Sequence, residues 1–267
     1  MKYQKTKLAP VTLAVPSKST NSTLPTMLGS VLSGTMLPQQ IVIHVEVNET
    51  TFPSSLLYQV NELTTLAARF GITCSVSYVP KVPIRKRRDL LLHNVGGMRF
   101  VWFLDDDCIV ENDCLEILMR AICNQNNSSC AAVTGMKLDV NNHRNYPDFS
   151  TTIKPYDGAS PFAHEWTALY EKQDDTTVVN AVSLDTGNVL IDPQLLFKNE
   201  IRFSNITPTN ESIGGEDGEL LIQCHQKGLE VKHSPFATAY HLNQQTQNFN
   251  AETPMRFEYL EQIKKGT

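Results

Sequence analysis

The 267-residue sequence, 41 % hydrophobic and 19 % charged, has the composition of a globular protein of one large domain or two closely packed ones, which excludes a disordered chain. A net charge of -5 excludes a surface that attracts phosphate backbones as a whole, so nucleic-acid affinity would need a local basic patch. The apolar stretch ahead of Pro16 and Ser17 is too short for a signal peptide, no window reaches the roughly 18 to 20 apolar residues of a bilayer span, and six cysteines without a C-x-x-C pair fit reduced packing thiols in a cytoplasmic protein.

In chain order, "VTLAV" (11–15) reads as a strand, and Leu24, Met27, Leu28, Val31 and Leu32 recur at helical spacing. Thr23 is the expected N-cap of that helix, with Pro25 in its first turn and Gly34 just past its end. "QIVIHVEV" (40–47) is a second strand, Leu56, Leu57, Val60, Leu63 and Ala67 mark a second helix closed by Gly71, and "ITCSVSYV" is a third strand. A third helix is expected over 85–95, followed by the strand "RFVWFL", the amphipathic helix "ENDCLEILMRAIC" and the strand "AAVTGMKLD". Residues 140–165 lack a period and read as a functional loop. Beyond it come "VVNAVSLDTGNVLI", the loop "TPTNESIGGED", a helix to Gly228, a strand pair "LEVKHSP" and "ATAYHLN", and a C-terminal helix from about Thr253. Alternating strands and helices predict an α/β fold with a mostly parallel sheet and helices on both faces, whose ligands bind at the carboxyl ends of the strands.

At that position the strand "FVWFL" runs into Asp105, Asp106 and Asp107. Adjacent carboxylates repel one another, and in a low-dielectric crevice they stay ionised only beside something cationic. A divalent ion with a taste for hard oxygen ligands, Mn2+ or Mg2+, supplies that and also bridges nucleotide phosphates. A solvated acidic turn is the plainer alternative. Farther on, Glu216 and Asp217 follow two glycines at a helix start, a setting for a general base or simply for a charged helix N-terminus. His241 ends a strand and offers a nitrogen ligand, or only a hydrogen bond. The basic run "KVPIRKRRD" is either a solvated helix face or a diphosphate contact, for which Arg85 and Arg88, three residues apart on one helical face, are the candidates.

Together these stretches resemble the family 2 glycosyltransferases of the GT-A fold. The likeness runs in order over residues 8–245 through "LAVPSKS" with Pro16, "PIRKRRDLLLHN", "FLDDD", "DTGNVLI", "GGEDGEL" and "PFATAYH". The resemblance implies one GT-A domain over 1–245, with a nucleotide-sugar half (about 8–139), an acceptor half (140–245) and a helical tail (246–267). It implies a nucleoside-diphosphate sugar donor, by family frequency UDP-linked, with Asp105 and Asp106 at the ribose and diphosphate. Asp107 would ligate the metal, helped by His241, and Asp217 would deprotonate an acceptor hydroxyl in an inverting displacement. Gly187, Asn188, Glu216 and Trp166 fall on the acceptor side, where Tyr146, Phe149, Tyr156 and Phe162 are further stacking candidates. One departure is the second strand, "IVIHVEVNETT", which leaves only Glu46 where the family carries paired aspartates for the nucleobase. The acceptor class stays open among glycan, lipid-linked sugar, protein and modified nucleobase. Two rival readings remain: a haloacid-dehalogenase-like phosphohydrolase with Asp105 as nucleophile and Asp107 as acid, and a GT-A-like binding module without turnover.

Overall fold

A computed structural model describes residues 7–18, 22–47, 54–95, 97–124, 129–139, 178–181, 184–204 and 216–242. The apolar 11–15 run lies in β1 (Lys7–Lys18), which is buried on both faces because helices cover the sheet above and below it. β2 (Met36–Val47) and β4 (Phe100–Leu104) flank β1 in parallel, and β3 (Thr73–Pro80) extends the sheet beyond β2. On the other side of β4 the sheet becomes mixed: β8 (Asn188–Ile191) runs antiparallel to both β4 and β6 (Cys130–Asp139). β9 (Glu230–His241) is parallel to β6 and carries β5 (Cys108–Val110) and β7 (Val179–Asn180) as antiparallel partners. The order across the sheet is β3-β2-β1-β4-β8-β6-β9-β5.

Alternation along the strands sorts the core into two layers. Leu13, Val15, Ile43, Trp102 and Leu104 face α1 (Leu24–Leu32), α2 (Ser54–Arg69) and α4 (Cys114–Cys123). Ala14, Val42, Val101, Phe103 and Val189 face α3 (Ile84–His93), α5 (Pro193–Lys198) and α6 (Glu216–Gln226). Phe103 meets Phe203 edge to face, centroids 5.4 Å apart. Gly71 and Gly228 end α2 and α6 at φ 81° and 70°, and the N–H groups of Ile72 and Leu229 reach back to Ala67 and Cys224. Among the described residues no helix is long and apolar enough to cross a membrane.

Two expectations change, and two short elements are new. "LEVKHSP" and "ATAYHLN" are one strand, β9, whose register against β6 shifts between Gly135 and Met136; the Pro235 ring lacks the N–H a regular ladder needs there. β5 and α5 carried no sequence signal, being only three and six residues long. Thr23 precedes α1 but does not cap it with its side chain; its hydroxyl donates to the Asp106 carbonyl at 2.9 Å. The C-terminal helix and the 140–165 loop lie outside the described residues.

Asn188 also departs from its expected place at the acceptor. Its amide is fully buried: Oδ1 accepts from the Trp102 indole at 3.0 Å and Nδ2 donates to the Ala237 carbonyl at 2.9 Å, in the β9 irregularity. One side chain thereby joins β4, β8 and β9, and Gly135 has no Cβ because Asn188 and the Ala237 carbonyl occupy that space. Asn188→Ala is expected to lower unfolding free energy by about 3 kcal/mol, since it strands a buried indole N–H and a carbonyl; urea denaturation measures it.

Candidate functional site

The basic run is divided: Lys81 and Lys86 are exposed, whereas its three arginines are buried and paired. Arg85, Arg87 and Arg88 on α3 are 5, 3 and 4 % exposed, and guanidinium groups at that depth require carboxylates. Arg85 Nη1 donates to both oxygens of Glu219 on α6, at 3.0 and 3.2 Å, so this arginine, expected at the diphosphate, is occupied inside the protein. Arg87 pairs with Glu46 at the end of β2 and donates to the Ser17 carbonyl at 3.2 Å. Glu46, expected as a nucleobase carboxylate, is therefore engaged by a cation that was not singled out in the sequence. Arg88 faces the first acid after β4: it pairs with Glu216, and lies 3.2 Å from Asp217 and 3.3 Å from Asp105. Burial pulls its pKa down, but the charges of Glu216, Asp217, Asp105 and Asp185 outweigh that and raise it.

Each acid after β4 has its own compensation. Asp105 lies between Arg88 and Lys137, whose Nζ is 3.4 Å from Asp105 Oδ2 and 2.9 Å from Asp185 Oδ1. Asp106 points back toward the end of β1, where it accepts from the Ser17 hydroxyl at 2.6 Å and the Lys18 N–H at 3.2 Å. Pro16, just before this contact, is buried in register with His44. Asp107 meets His241 Nε2 at 3.1 Å. Burial pushes the Asp107 carboxyl up, yet the hydrogen bond and charge of His241, with Lys137 behind, hold it below its usual value; the same hydrogen bond raises His241. β5 makes this meeting possible, for its pairing with β9 sets Cys108 opposite His241.

The donor set suits a hard divalent ion. Asp107 and His241, 3.1 Å apart, would be the residues to hold such an ion. Ligand atoms of Asp105, Asp107 and Cys108 also lie within 4.8 Å of one another. The Cys108 thiol is fully buried, and burial first, then Asp105, pushes its pKa up.

Lys137, Asp185 and Thr186 carry the site as much as the residues singled out in the sequence. Their signals were a lysine late in an apolar strand and the two residues before the noted Gly187. A Cβ on Gly187 would collide with Asp105 Oδ2 and lie 2.8 Å from Lys137 Nζ, so only glycine lets this cluster close over the backbone. Asp217, in the first turn of α6, has a side chain 22 % exposed and accepts from Arg88 and from the Thr186 hydroxyl. Burial and the neighbouring Glu216 push its carboxyl up to about 7 against the pull of Arg88. Glu216 is buried against Arg88. Trp166, Tyr146, Phe149, Tyr156 and Phe162 lie outside the described residues, as do the glycines before Glu216.

Among solved structures, GalNAc-T7 with UDP, GalNAc and Mn2+ superposes at a TM-score of 0.61 and 14 % identity, covering 91 % of this chain and 45 % of that one. The fold is GT-A. Two more GT-A structures agree: TarS 1-349 of S. aureus in complex with UDP-GlcNAc (TM-score 0.61, 14 % identity, 95 % of this chain, 64 % of that one) and the mannosyltransferase PcManGT from Pyrobaculum calidifontis with GDP-Man and Mn2+ (0.59, 12 %, 95 % and 62 %). The chain thus spans between 45 and 64 % of the length of these structures. No protein-family model and no curated protein sequence matches it.

The raised Asp217 carboxyl has a consequence for stability. Its folded pKa, about 7, lies above the ordinary 3.8, so the folded state holds this proton more tightly and the associated stability, complete at low pH, drains as pH climbs from about 4 to 7. Asp217→Asn, which never ionises, is expected to gain stability relative to the wild type by about 1 to 3 kcal/mol between pH 5 and pH 8. Paired urea titrations at the two pH values give this difference.

Proposed function

We propose that this protein is a metal-dependent inverting glycosyltransferase that moves a sugar from a nucleoside diphosphate, most simply UDP, to an acceptor hydroxyl. The observation that carries this reading is the 3.1 Å meeting of Asp107 and His241. An acid just after β4 and a histidine at the end of β9 come together where they would hold one ion between them, in a fold whose solved examples include complexes with UDP or GDP-Man together with Mn2+.

In this reading Asp107 and His241 hold Mn2+ or Mg2+, which when bound supplies positive charge to the departing diphosphate. Asp217 takes the proton of the acceptor hydroxyl. The acceptor oxygen then bonds to the anomeric carbon as the bond from that carbon to the phosphate oxygen breaks, and the diphosphate leaves with the electron pair. A carboxylate of pKa about 7 is ionised in half the molecules at neutral pH while still basic enough to accept the proton, the condition for a general base. Arg88 bridges Asp105 on the donor side and Asp217 on the acceptor side, so the two halves of the site share one cation. Asp105 would be the nucleophile of a phosphohydrolase, but Arg88 engages its Oδ1 and Lys137 its Oδ2, a poor setting for in-line attack.

A thermal-shift screen of UDP, GDP and other nucleoside diphosphates with and without manganese tests the donor side. The best nucleotide is expected to raise Tm only with the metal, and Asp107→Ala is expected to remove that rise. Equal stabilisation without metal would overturn the role of Asp107. Asp217→Asn is expected to keep nucleotide binding while slowing sugar transfer or donor hydrolysis by about 10² to 10⁴, read as nucleoside diphosphate released. An Asn variant as fast as the wild type would mean a different base, and no release by either would leave a binding module.

A further inference from the structure

We propose that Thr186 is a positioning residue that divides the work of the Asp217 carboxylate, tying down Oδ1 so that Oδ2 alone is open to the acceptor's proton. The proposal rests on the reading of Asp217 as the base. Two donors converge on one atom: the Thr186 hydroxyl and Arg88 Nη1, the latter at 3.2 Å, both reach Oδ1. Among the described residues none donates to Oδ2, although the side chain is 22 % exposed. An oxygen that already accepts two donors is the poorer site for a further proton, because protonation would set donor against donor. Of the two oxygens, Oδ2 is therefore the better site for the proton.

Thr186 is well placed to act as a fixed clamp. It is 1 % exposed and sits in the turn before β8, held on both sides. The Gly187 N–H donates to Asp185 Oδ1 at 2.8 Å, and the Asp105 N–H donates to the Gly187 carbonyl at 3.2 Å. The clamp thus hangs from the same backbone that carries the acid after β4. A hydroxyl also suits this position better than a second cation, because it orients the carboxylate without neutralising the base.

The charged groups facing Asp217 are Arg88 from α3, Asp185 from the turn before β8 and Glu216 on its own helix. Burial, Glu216 and Asp185 favour the protonated form; Arg88 and the Thr186 hydroxyl oppose them. Removing the hydroxyl is therefore expected to raise the Asp217 titration by about one to two pH units, the size of a hydrogen bond to a charged group.

Selective ¹³Cγ labelling of aspartate and an NMR pH titration of the full chain test this, with Asp217→Asn assigning the signal. Thr186→Val is expected to titrate about one to two units above the wild type, and Thr186→Ser, which keeps the hydroxyl, within a few tenths of it. A Thr186→Val curve that superimposes on the wild type overturns the proposal. Equal shifts in the Val and Ser variants overturn it too, for a variant that keeps the hydroxyl would then behave like one that lacks it. Should Thr186→Val fail to fold, Thr186→Cys, with a much weaker donor, is read against Ser in the same way. The titration needs neither donor nor acceptor, so its outcome is separate from the rate measured for Asp217→Asn.

Discussion

Arg88 is a buried cation facing three carboxylates from different parts of the chain, and most of the site's geometry depends on it. Removing one partner of a buried pair typically costs about 3 to 5 kcal/mol, because the charge left behind has lost both its water and its counterion. Here one guanidinium serves Asp105 after β4 and Glu216 and Asp217 at the start of α6, so the sheet edge and the helix cannot separate without exposing charge to an apolar interior. Arg85 and Arg87 repeat the device on either side, with Glu219 and Glu46. Asp89, on the same helix, accepts from the N–H groups of Phe203 and Ser204 at 2.9 and 3.0 Å. α3 thus acts as a charged rivet as well as an apolar cover through Leu91 and Leu92.

The run of three aspartates is tolerable for the same reason. Consecutive residues leaving a strand diverge in direction, and each of these meets a different compensating group: Arg88 with Lys137, the Ser17 hydroxyl with the Lys18 N–H, and His241. Much of the repulsion is offset by the protein before any metal binds. One consequence is division of labour. Asp106 fastens the end of β1, Asp105 anchors the interior network, and Asp107 has a histidine for its partner, which is the pairing a divalent ion can replace.

The sheet order explains why residues so far apart in sequence arrive together. β8 enters antiparallel between β4 and β6, so the turn at its start, Asp185 to Gly187, lies at the same edge as the ends of β4 and β6. Lys137 from β6 and Asp105 from β4 then meet over Gly187. The parallel pairing of β6 with β9 brings Asp139 level with His241, and the short β5 pulls the end of β9 against Asp107. Asn188 locks this region from beneath through Trp102 and the Ala237 carbonyl.

By itself the sequence determined the alternating strands and helices, the two helix ends at Gly71 and Gly228, the acid tip of β4, and the approximate places of Asp217 and His241, because periodicity, positive-φ glycines and charge after an apolar run are local properties. Only the tertiary structure decided which charges meet. It turned Arg85 and Glu46 into partners of Glu219 and Arg87, set Asn188 under the sheet instead of at an acceptor, and drew Lys137, Asp185 and Thr186 into the site. The physical reason is that a buried charge is defined by its partner, and partners from strands β4, β6 and β8 are chosen by sheet order and register, which neither composition nor spacing encodes.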